Sequence, residues 1–351
     1  MTESNELHVI IGASGGTGSA IVRELVARGK RVRGVNRSGH ADIPSVVEML
    51  KADATDPSSM REVCQGATVV YNCVNPPFAQ WTQIFPAVME ATIEGAAAAD
   101  AKLVFADDTW MYGKVDRPMT EDLPSRPVSN KGVLRAWLAE MLLSAHSRGK
   151  VRAVIGRGGE LYGPLVESVL GQNLFGAALA GKRATWIGNL DVPLTPLFID
   201  DFARGLVTLG EHDEAIGQVW HIPTPEPITG REFVRMIFEE VGRAPKVTAY
   251  SHQFVKALGL FWPLAREGAE MVYQFERPFI IDSSKYKHTF DKGAVTPYRE
   301  GIRQTIDWYR SISESSSYEP RRSHREFFKM NSTNEDTLKS LLATQQKEVS
   351  R

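Results

Sequence analysis

Leu7-His8-Val9-Ile10-Ile11 is an apolar, strand-like run that drops straight into Gly12-Ala13-Ser14-Gly15-Gly16-Thr17-Gly18. A helical pattern, Ala20-Ile21-Val22-Arg23-Glu24-Leu25-Val26, follows at once. Each of the glycines at 12, 15 and 18 has a mechanical reason to lack a side chain. One makes the tight strand-to-helix turn, one lets backbone approach a pyrophosphate, and one lets the helix pack on the strand. The helix N-terminus then offers N–H groups and a positive dipole end to phosphates. Gly12, Ser14, Gly15, Gly16, Thr17 and Gly18 are therefore candidates for holding a dinucleotide. The strand before and the helix after supply the context that such a loop requires.

The identity of the dinucleotide is read from the next strand. Arg31-Val32-Arg33-Gly34-Val35 runs into Asn36-Arg37-Ser38. An NAD-preferring site usually carries an acid there to bond the ribose hydroxyls. Asn36 removes repulsion against a 2′-phosphate, and the Arg37 guanidinium can grip that phosphate in a fork. The pattern favours NADP(H) over NAD(H), although Arg37 could also be one more solvated cation beside Arg31 and Arg33. Val46 to Asp53 forms a third strand pattern whose Asp53 could bond the adenine amino group. Asp53 could equally shape the turn into the helix that starts at Asp56-Pro57-Ser58-Ser59. Ala67 to Asn75 forms a fourth, and the backbone around Cys73 and Asn75 would pass along the cofactor ribose.

A fifth strand, Ala101 to Phe105, leads into Asp107-Asp108-Thr109. A partly buried carboxylate at the carboxyl end of a parallel strand can have a raised pKa and serve as acid or base. Asp108 and Thr109 are the candidate catalytic residues; an Asp at a strand end also commonly caps the next turn. Tyr112, Tyr162 and His221 carry suitable groups, but each also fits a buried structural role. Trp81, Trp186, Phe198 and Phe261 could line an apolar pocket or pack in the core.

Strand and helix patterns alternate from residue 7 to about 160, which implies βαβ units and a parallel sheet. A helix is expected from Lys131 to Ser147, and a sixth strand from Val151 to Arg157. Further helices are expected at about 198–211 and 229–242. The fold class is α/β, a doubly wound Rossmann-type sheet over residues 1–164. Residues 165–310 read as a smaller, mostly helical substrate-binding region interleaved with a late strand of the sheet. Residues 311–351 read as a polar, disordered tail with a short helix near Glu335–Gln345.

Composition narrows the class. With 41 Lys and Arg against 42 Asp and Glu, the formal charge is −1 and no basic footprint points to nucleic acid. Cys64 and Cys73 are the two cysteines, which leaves no disulfide framework and no metal-ligand cluster. The acidic start, Met1 to Glu6, is unlike a signal peptide, and the apolar stretch from Phe254 to Leu264 is too short to span a bilayer. A cytoplasmic enzyme with a small-molecule substrate is expected.

The glycine loop, Tyr112-Gly113, Arg157…Tyr162-Gly163-Pro164 and Tyr298-Arg299-Glu300-Gly301-Ile302…Trp308-Tyr309 together resemble the extended short-chain dehydrogenase/reductases. That group includes NAD-dependent epimerases and dehydratases, and the resemblance covers about 7–310. It implies a Rossmann fold, nicotinamide redox chemistry and pairing through helices, which makes 131–147 the candidate face of a homodimer. It also implies a Tyr and a Lys four residues apart on the helix after strand five. Counting back from Glu140 puts Gly132 and Ala136 at those places, and Asp108 where a Ser or Thr belongs. The chain is in this respect similar to atypical members that have lost the motif. Arg135, one residue before the missing Lys, could reach the ribose or turn away; Lys131 is a poorer match. The expectation is an NADP(H)-dependent oxidoreductase acting on a small organic carbonyl or related substrate. Two alternatives stay open: a cofactor-retaining epimerase, dehydratase or isomerase, and a dinucleotide-sensing binding protein.

Overall fold

A computed structural model of the chain describes residues 6–258, 268–290 and 295–314. The chain divides into two units, 1–309 and 310–351. The second is described only over 310–314, which are helical. The expected tail helix near 335–345 and Phe261 lie outside the described residues.

The first unit is built on seven parallel strands. In chain order they are β1 (Leu7–Ile11), β2 (Arg31–Asn36), β3 (Glu48–Lys51), β4 (Ala67–Asn72), β5 (Lys102–Asp107), β6 (Arg152–Arg157) and, much later, β11 (Val219–His221). Their spatial order is β11-β6-β5-β4-β1-β2-β3. The order reverses at β1, where β2 lies on one side and β4 on the other. That reversal opens a crevice at the carboxyl ends of the strands.

The helices between strands cover both faces. α1 (Gly16–Ala27) packs with α6 (Ile199–Glu211). α2 (Pro57–Val63), α3 (Trp81–Ala98) and α4 (Asn130–Ser147) lie side by side. The period of two along a strand decides which residues each layer buries. Leu7, Val9 and Ile11 point into one core with Val70, Leu103, Phe105, Ala153 and Ile155, against Met60, Phe85, Met89, Leu138 and Leu142 of the helices. All are buried, and this continuous apolar layer supplies most of the stabilisation of the sheet. The outer face of α4 exposes Val133 and Trp137, one turn apart.

Local signals set the ends of elements. Asp56 caps α2 by accepting from Ser58 N and Ser59 N. Gly29 takes φ +70° after α1, as the αL end of a helix favours. The third strand is shorter than expected, four residues at the half-exposed sheet edge.

Beyond β6 the chain is less regular. Three two-stranded pairs occur where the sequence suggested mostly helix. They are β7 (Leu161–Tyr162) with β10 (Leu197–Phe198), β9 (Pro193–Leu194) with β12 (Ile228–Thr229), and β8 (Ala184–Ile187) with β13 (Val247–Tyr250). Strands of two to four residues are too short to show a period. Helices α5 (Gln172–Ala180), α7 (Gly230–Glu240), α8 (His252–Leu258), α9 (Ser284–Thr289) and α10 (Tyr298–Glu314) complete the described residues. No described helix is long and apolar enough to cross a membrane.

Close helix packing gives the fold a sensitive point. A Cβ added to Gly95 of α3 would sit 2.7 Å from Met60 O of α2. Gly95→Ala is expected to destabilise the chain by about 1–3 kcal/mol, read as a lower thermal midpoint; an unchanged midpoint would contradict this packing.

Candidate active site

β1 ends where Gly12 adopts φ +92°, and a Cβ there would lie 2.8 Å from Cys73 O. A Cβ on Gly18 would run into Gly12 O, and one on Gly16 would come within 2.9 Å of Leu165 O. At these three positions side chains are excluded by backbone that cannot retreat, while a Cβ on Gly15 would meet only Gly12 O at 3.5 Å. Gly15 precedes α1 in an extended conformation, with no side chain capping the helix and no acid in its first turn. The leading N–H groups of a helix lack intrahelical partners. Uncapped donors, an unopposed dipole and a bare backbone fit the pyrophosphate of a dinucleotide. Ser14 and Thr17 sit half-buried within the same loop.

The other cofactor candidates gather at neighbouring strand ends. Asn36 Oδ1 accepts from Ser38 N at 3.0 Å and Gly39 N at 2.7 Å, while its Nδ2 donates to His40 O at 2.8 Å. Asn36 thus shapes the loop on which Arg37 stands exposed. Asp53 Oδ1 accepts from Thr55 N at 2.9 Å and Thr55 Oγ1 at 2.8 Å, so it takes up the turn role. Cys73 N donates to Ile11 O at 2.9 Å, which brings the Cys73 backbone against the first glycine. Its thiol is buried, and burial pushes its pKa up. Asn75 lies two residues on and is exposed.

At the ends of β5, β6 and β11 a buried polar chain links the strands. Arg157 Nε donates to Asp107 Oδ2 at 3.0 Å, and Arg157 Nη1 donates to Tyr112 OH at 2.7 Å. The Tyr112 oxygen accepts there, so its proton goes to His221 Nε2, 2.8 Å away. That leaves Nδ1–H of His221 to donate to Asp282 O at 2.9 Å. Burial holds the imidazole neutral, with its pKa pushed down to about 4. Tyr112 and His221 therefore serve as framework. Tyr162 is buried against Phe175, Phe198 and Phe233, Trp81 stacks on Trp110, and Trp186 packs edge-on to Phe275.

Helix α4 begins with Ser129 accepting from Gly132 N, which places its first turns against the end of β5. Arg135 neither faces away nor reaches out. Its guanidinium lies 4.5 Å over Trp81 and 4.6 Å over Phe85, with Nη1 3.5 Å from Asp107 Oδ1. Burial and stacking favour this inward rotamer, because two carboxyls wait at its tip. Lys131 Nζ donates to Phe78 O at 2.8 Å. A Cβ on Gly132 would lie 2.6 Å from Trp110 O.

Asp108 and Thr109 follow directly on β5. Asp108 Oδ1 accepts from Trp110 N at 2.9 Å, which is a capping role. Asp108 Oδ2 faces Arg135 Nε at 2.8 Å without hydrogen-bond alignment. Burial pushes the Asp108 carboxyl up to about 6, against the pull of Arg135 and with help from the charge on Asp107. Thr109 is fully buried, and its Oγ1 has no hydrogen-bond partner.

Glu160, between β6 and β7, was not singled out from the sequence. Burial, and then the Asp108 charge, push it up to about 7, while a hydrogen bond from Gln274 opposes them. Gln274 Oε1 accepts from Trp110 Nε1 at 3.2 Å, so one amide bridges Trp110 and Glu160. Glu160 carried a usable signal as the only acid in Gly158-Gly159-Glu160-Leu161-Tyr162-Gly163-Pro164. Gln274 carried none, since it arrives from a segment more than a hundred residues away. Two carboxyls with midpoints near neutrality can exchange protons with a bound molecule.

Comparison with known proteins agrees with this architecture. Residues 8–222, which run from β1 to the end of β11, match the NAD dependent epimerase/dehydratase family. A 3beta-hydroxysteroid-dehydrogenase/decarboxylase isoform of Arabidopsis thaliana is 23% identical over 305 residues, 77% of this chain and 53% of that protein. The chain thus spans about half the length of that relative. A 2'-dehydrokanamycin reductase of Streptomyces kanamyceticus is 22% identical over 304 residues, 84% of this chain and 79% of that protein. Among solved structures, a UDP-glucuronic acid 4-epimerase of Bacillus cereus in complex with NAD superposes with a TM-score of 0.73. Its identity is 18%, with 88% of this chain and 100% of that one covered, so the likeness is one of fold. The matched profile spans the whole central sheet and every strand end described above, and the chain belongs to the NAD dependent epimerase/dehydratase family.

Proposed function

We propose that the chain is an NADP(H)-dependent oxidoreductase acting on a small organic carbonyl compound or the matching alcohol, with Asp108 as its acid/base. The observation that carries this reading is the Asp108 carboxyl, half-buried just past the end of β5 beside the unpartnered Thr109 hydroxyl and pushed up to about 6. A carboxyl in that range can give a proton to an oxygen that is becoming a hydroxyl, and take one back in the reverse direction. When bound, the dinucleotide supplies or removes the hydride. The residues of the chain do the rest. The uncapped end of α1 and its glycine loop hold the pyrophosphate, Arg37 takes the 2′-phosphate, and Asn36 keeps the loop in shape without a repelling charge. Arg135 holds Asp108 in place, and Thr109 Oγ1 meets the substrate oxygen.

In this reading the usual Tyr and Lys pair is absent. Gly132 and Ala136 stand at its places, and the room at 132 is closed by Trp110 O. The family relatives named as a dehydrogenase and a reductase agree with net redox chemistry. A second reading, a redox-neutral epimerisation or dehydration, draws on the paired acids Asp108 and Glu160, one able to take a proton while the other returns one. Net consumption of NADPH with substrate would exclude it.

Titration of the full chain with NADPH and NADH, followed by nicotinamide fluorescence, is expected to show tighter NADPH binding. Arg37→Ala should weaken NADPH about tenfold or more, as loss of a charge-assisted contact does, and leave NADH unchanged. Equal affinities in the parent chain would reject the preference. For catalysis, reductive kcat/KM should fall as pH rises through about 6, because the protonated Asp108 is the competent form. Asp108→Asn should remove that inflection and lower kcat by about 10²–10⁴-fold with dinucleotide binding intact. A profile flat from pH 5 to 8 would remove Asp108 from the mechanism.

A further inference from the structure

Trp110 is gripped by a segment that arrives from far along the chain. Val272–Phe275 form a short 3-10 helix, and all four residues are buried. Gln274 Oε1 accepts from Trp110 Nε1 at 3.2 Å, and the same side chain hydrogen-bonds the Glu160 carboxyl. Tyr273 OH points at Trp110 O, 3.5 Å away. The indole stacks on Trp81, with centroids 5.4 Å apart and planes 20° apart, and Phe78 meets it edge-on. A side-chain amide accepts at one atom and donates at another without carrying charge, and here both ends are used. Two bonds therefore fix the Gln274 amide, and the amide fixes the edge of the indole.

The backbone of the same tryptophan holds the candidate acid. Trp110 N donates to Asp108 Oδ1 at 2.9 Å, whereas Oδ2 faces Arg135 Nε at 2.8 Å without alignment. A donor aimed at a carboxylate favours its charged form, so this N–H draws the Asp108 midpoint down while burial lifts it. That pull depends on where Trp110 sits. The other groups that act on Asp108 or feel its charge are Asp107 and Arg157 at the ends of β5 and β6, Arg135 on α4, Glu160 past β6, and Tyr273 beside Gln274.

We propose that Gln274 is a positioning residue for the Asp108 acid, acting through the indole and the main-chain N–H of Trp110. The inference rests on the functional reading above and deepens it by tying the acid to a residue of the second half of the chain. Gln274 holds the ring, the ring holds the amide at 110, and that amide holds Oδ1.

Carboxyl carbon-13 NMR on the full chain, with the side-chain carboxyls of its aspartates labelled, reads Asp108 without overlap from Glu160. The Asp108→Asn variant assigns the resonance, which is expected to titrate near pH 6 in the parent chain. Gln274→Met keeps the bulk of the side chain and loses both hydrogen bonds. It should move the Asp108 midpoint up by about half to one pH unit, the size of one weakened hydrogen bond. Trp110→Phe keeps a ring to stack against Trp81 and removes only the donor to Gln274. It should give the same upward shift, and the double variant should add nothing further. An unmoved midpoint in either single variant would overturn the proposal, as would additive shifts in the double variant. A downward shift in Gln274→Met would also overturn it, because Gln274 would then act through the charge of Glu160. An Asp108 that titrates at about 4 in the parent chain, the ordinary carboxyl range, defeats the functional reading beneath. A parent midpoint near 6 with unmoved variants defeats the role of Gln274 alone.

Discussion

The buried guanidinium of Arg157 is the contact on which the site depends. It sits at the end of β6, bonds Asp107 at the end of β5, and through Tyr112 reaches His221 at the end of β11. Three parallel strands are thereby fixed in register at the edge where chemistry would occur. Removing one partner of such a pair typically costs about 3–5 kcal/mol, because the other charge is left buried. The same pairing sets the electrostatics next door. Asp107 is the carboxylate that both arginines address, so Asp108 is left with the Trp110 N–H, a misaligned contact to Arg135 and a neighbouring negative charge. Burial then outweighs attraction and lifts Asp108 towards neutrality.

The parallel sheet explains why separate parts of the chain meet. Every βαβ unit delivers its carboxyl end to one edge. The glycine loop follows β1, Arg37 follows β2, Cys73 follows β4, Asp108 follows β5 and Glu160 follows β6. The chain after β6 then returns Leu194, Thr195, Gln274 and Phe279 to the same corner and closes it. The first half of the chain supplies the glycine loop and the acids, and the second half supplies the side chains that pack over Glu160.

How much of this was legible in the sequence follows from the physics of each signal. The glycine loop was legible because the close backbone approaches at Gly12 and Gly18 demand glycine and leave a spacing behind, whereas Gly15 meets only an ordinary contact. Strands β1 and β4 to β6 were legible because burial on both faces writes largely apolar runs, and β2 because it follows the first helix after Gly29. Asp108 and Thr109 stood out by their place at a strand end. Glu160 and Gln274 were missed because their meeting is tertiary. The burial that shifts Glu160 is contributed by residues scattered beyond 190. Arg135 could not be placed from helix register alone, since one residue is about 100° of rotation and the pull of two aspartates decided its direction. The two- and four-residue strands of the second half left no period to read.

The central claim is that Asp108 remains protonatable near neutral pH beside an Asp107 that is paired with Arg157. Carboxyl infrared difference spectroscopy across a pH titration, comparing the parent chain with Asp108→Asn, reads this directly. The account predicts a protonated carboxyl band that titrates near pH 6 in the parent chain and is missing from the variant. A parent chain with no such band above about pH 4, the ordinary carboxyl range, would contradict it.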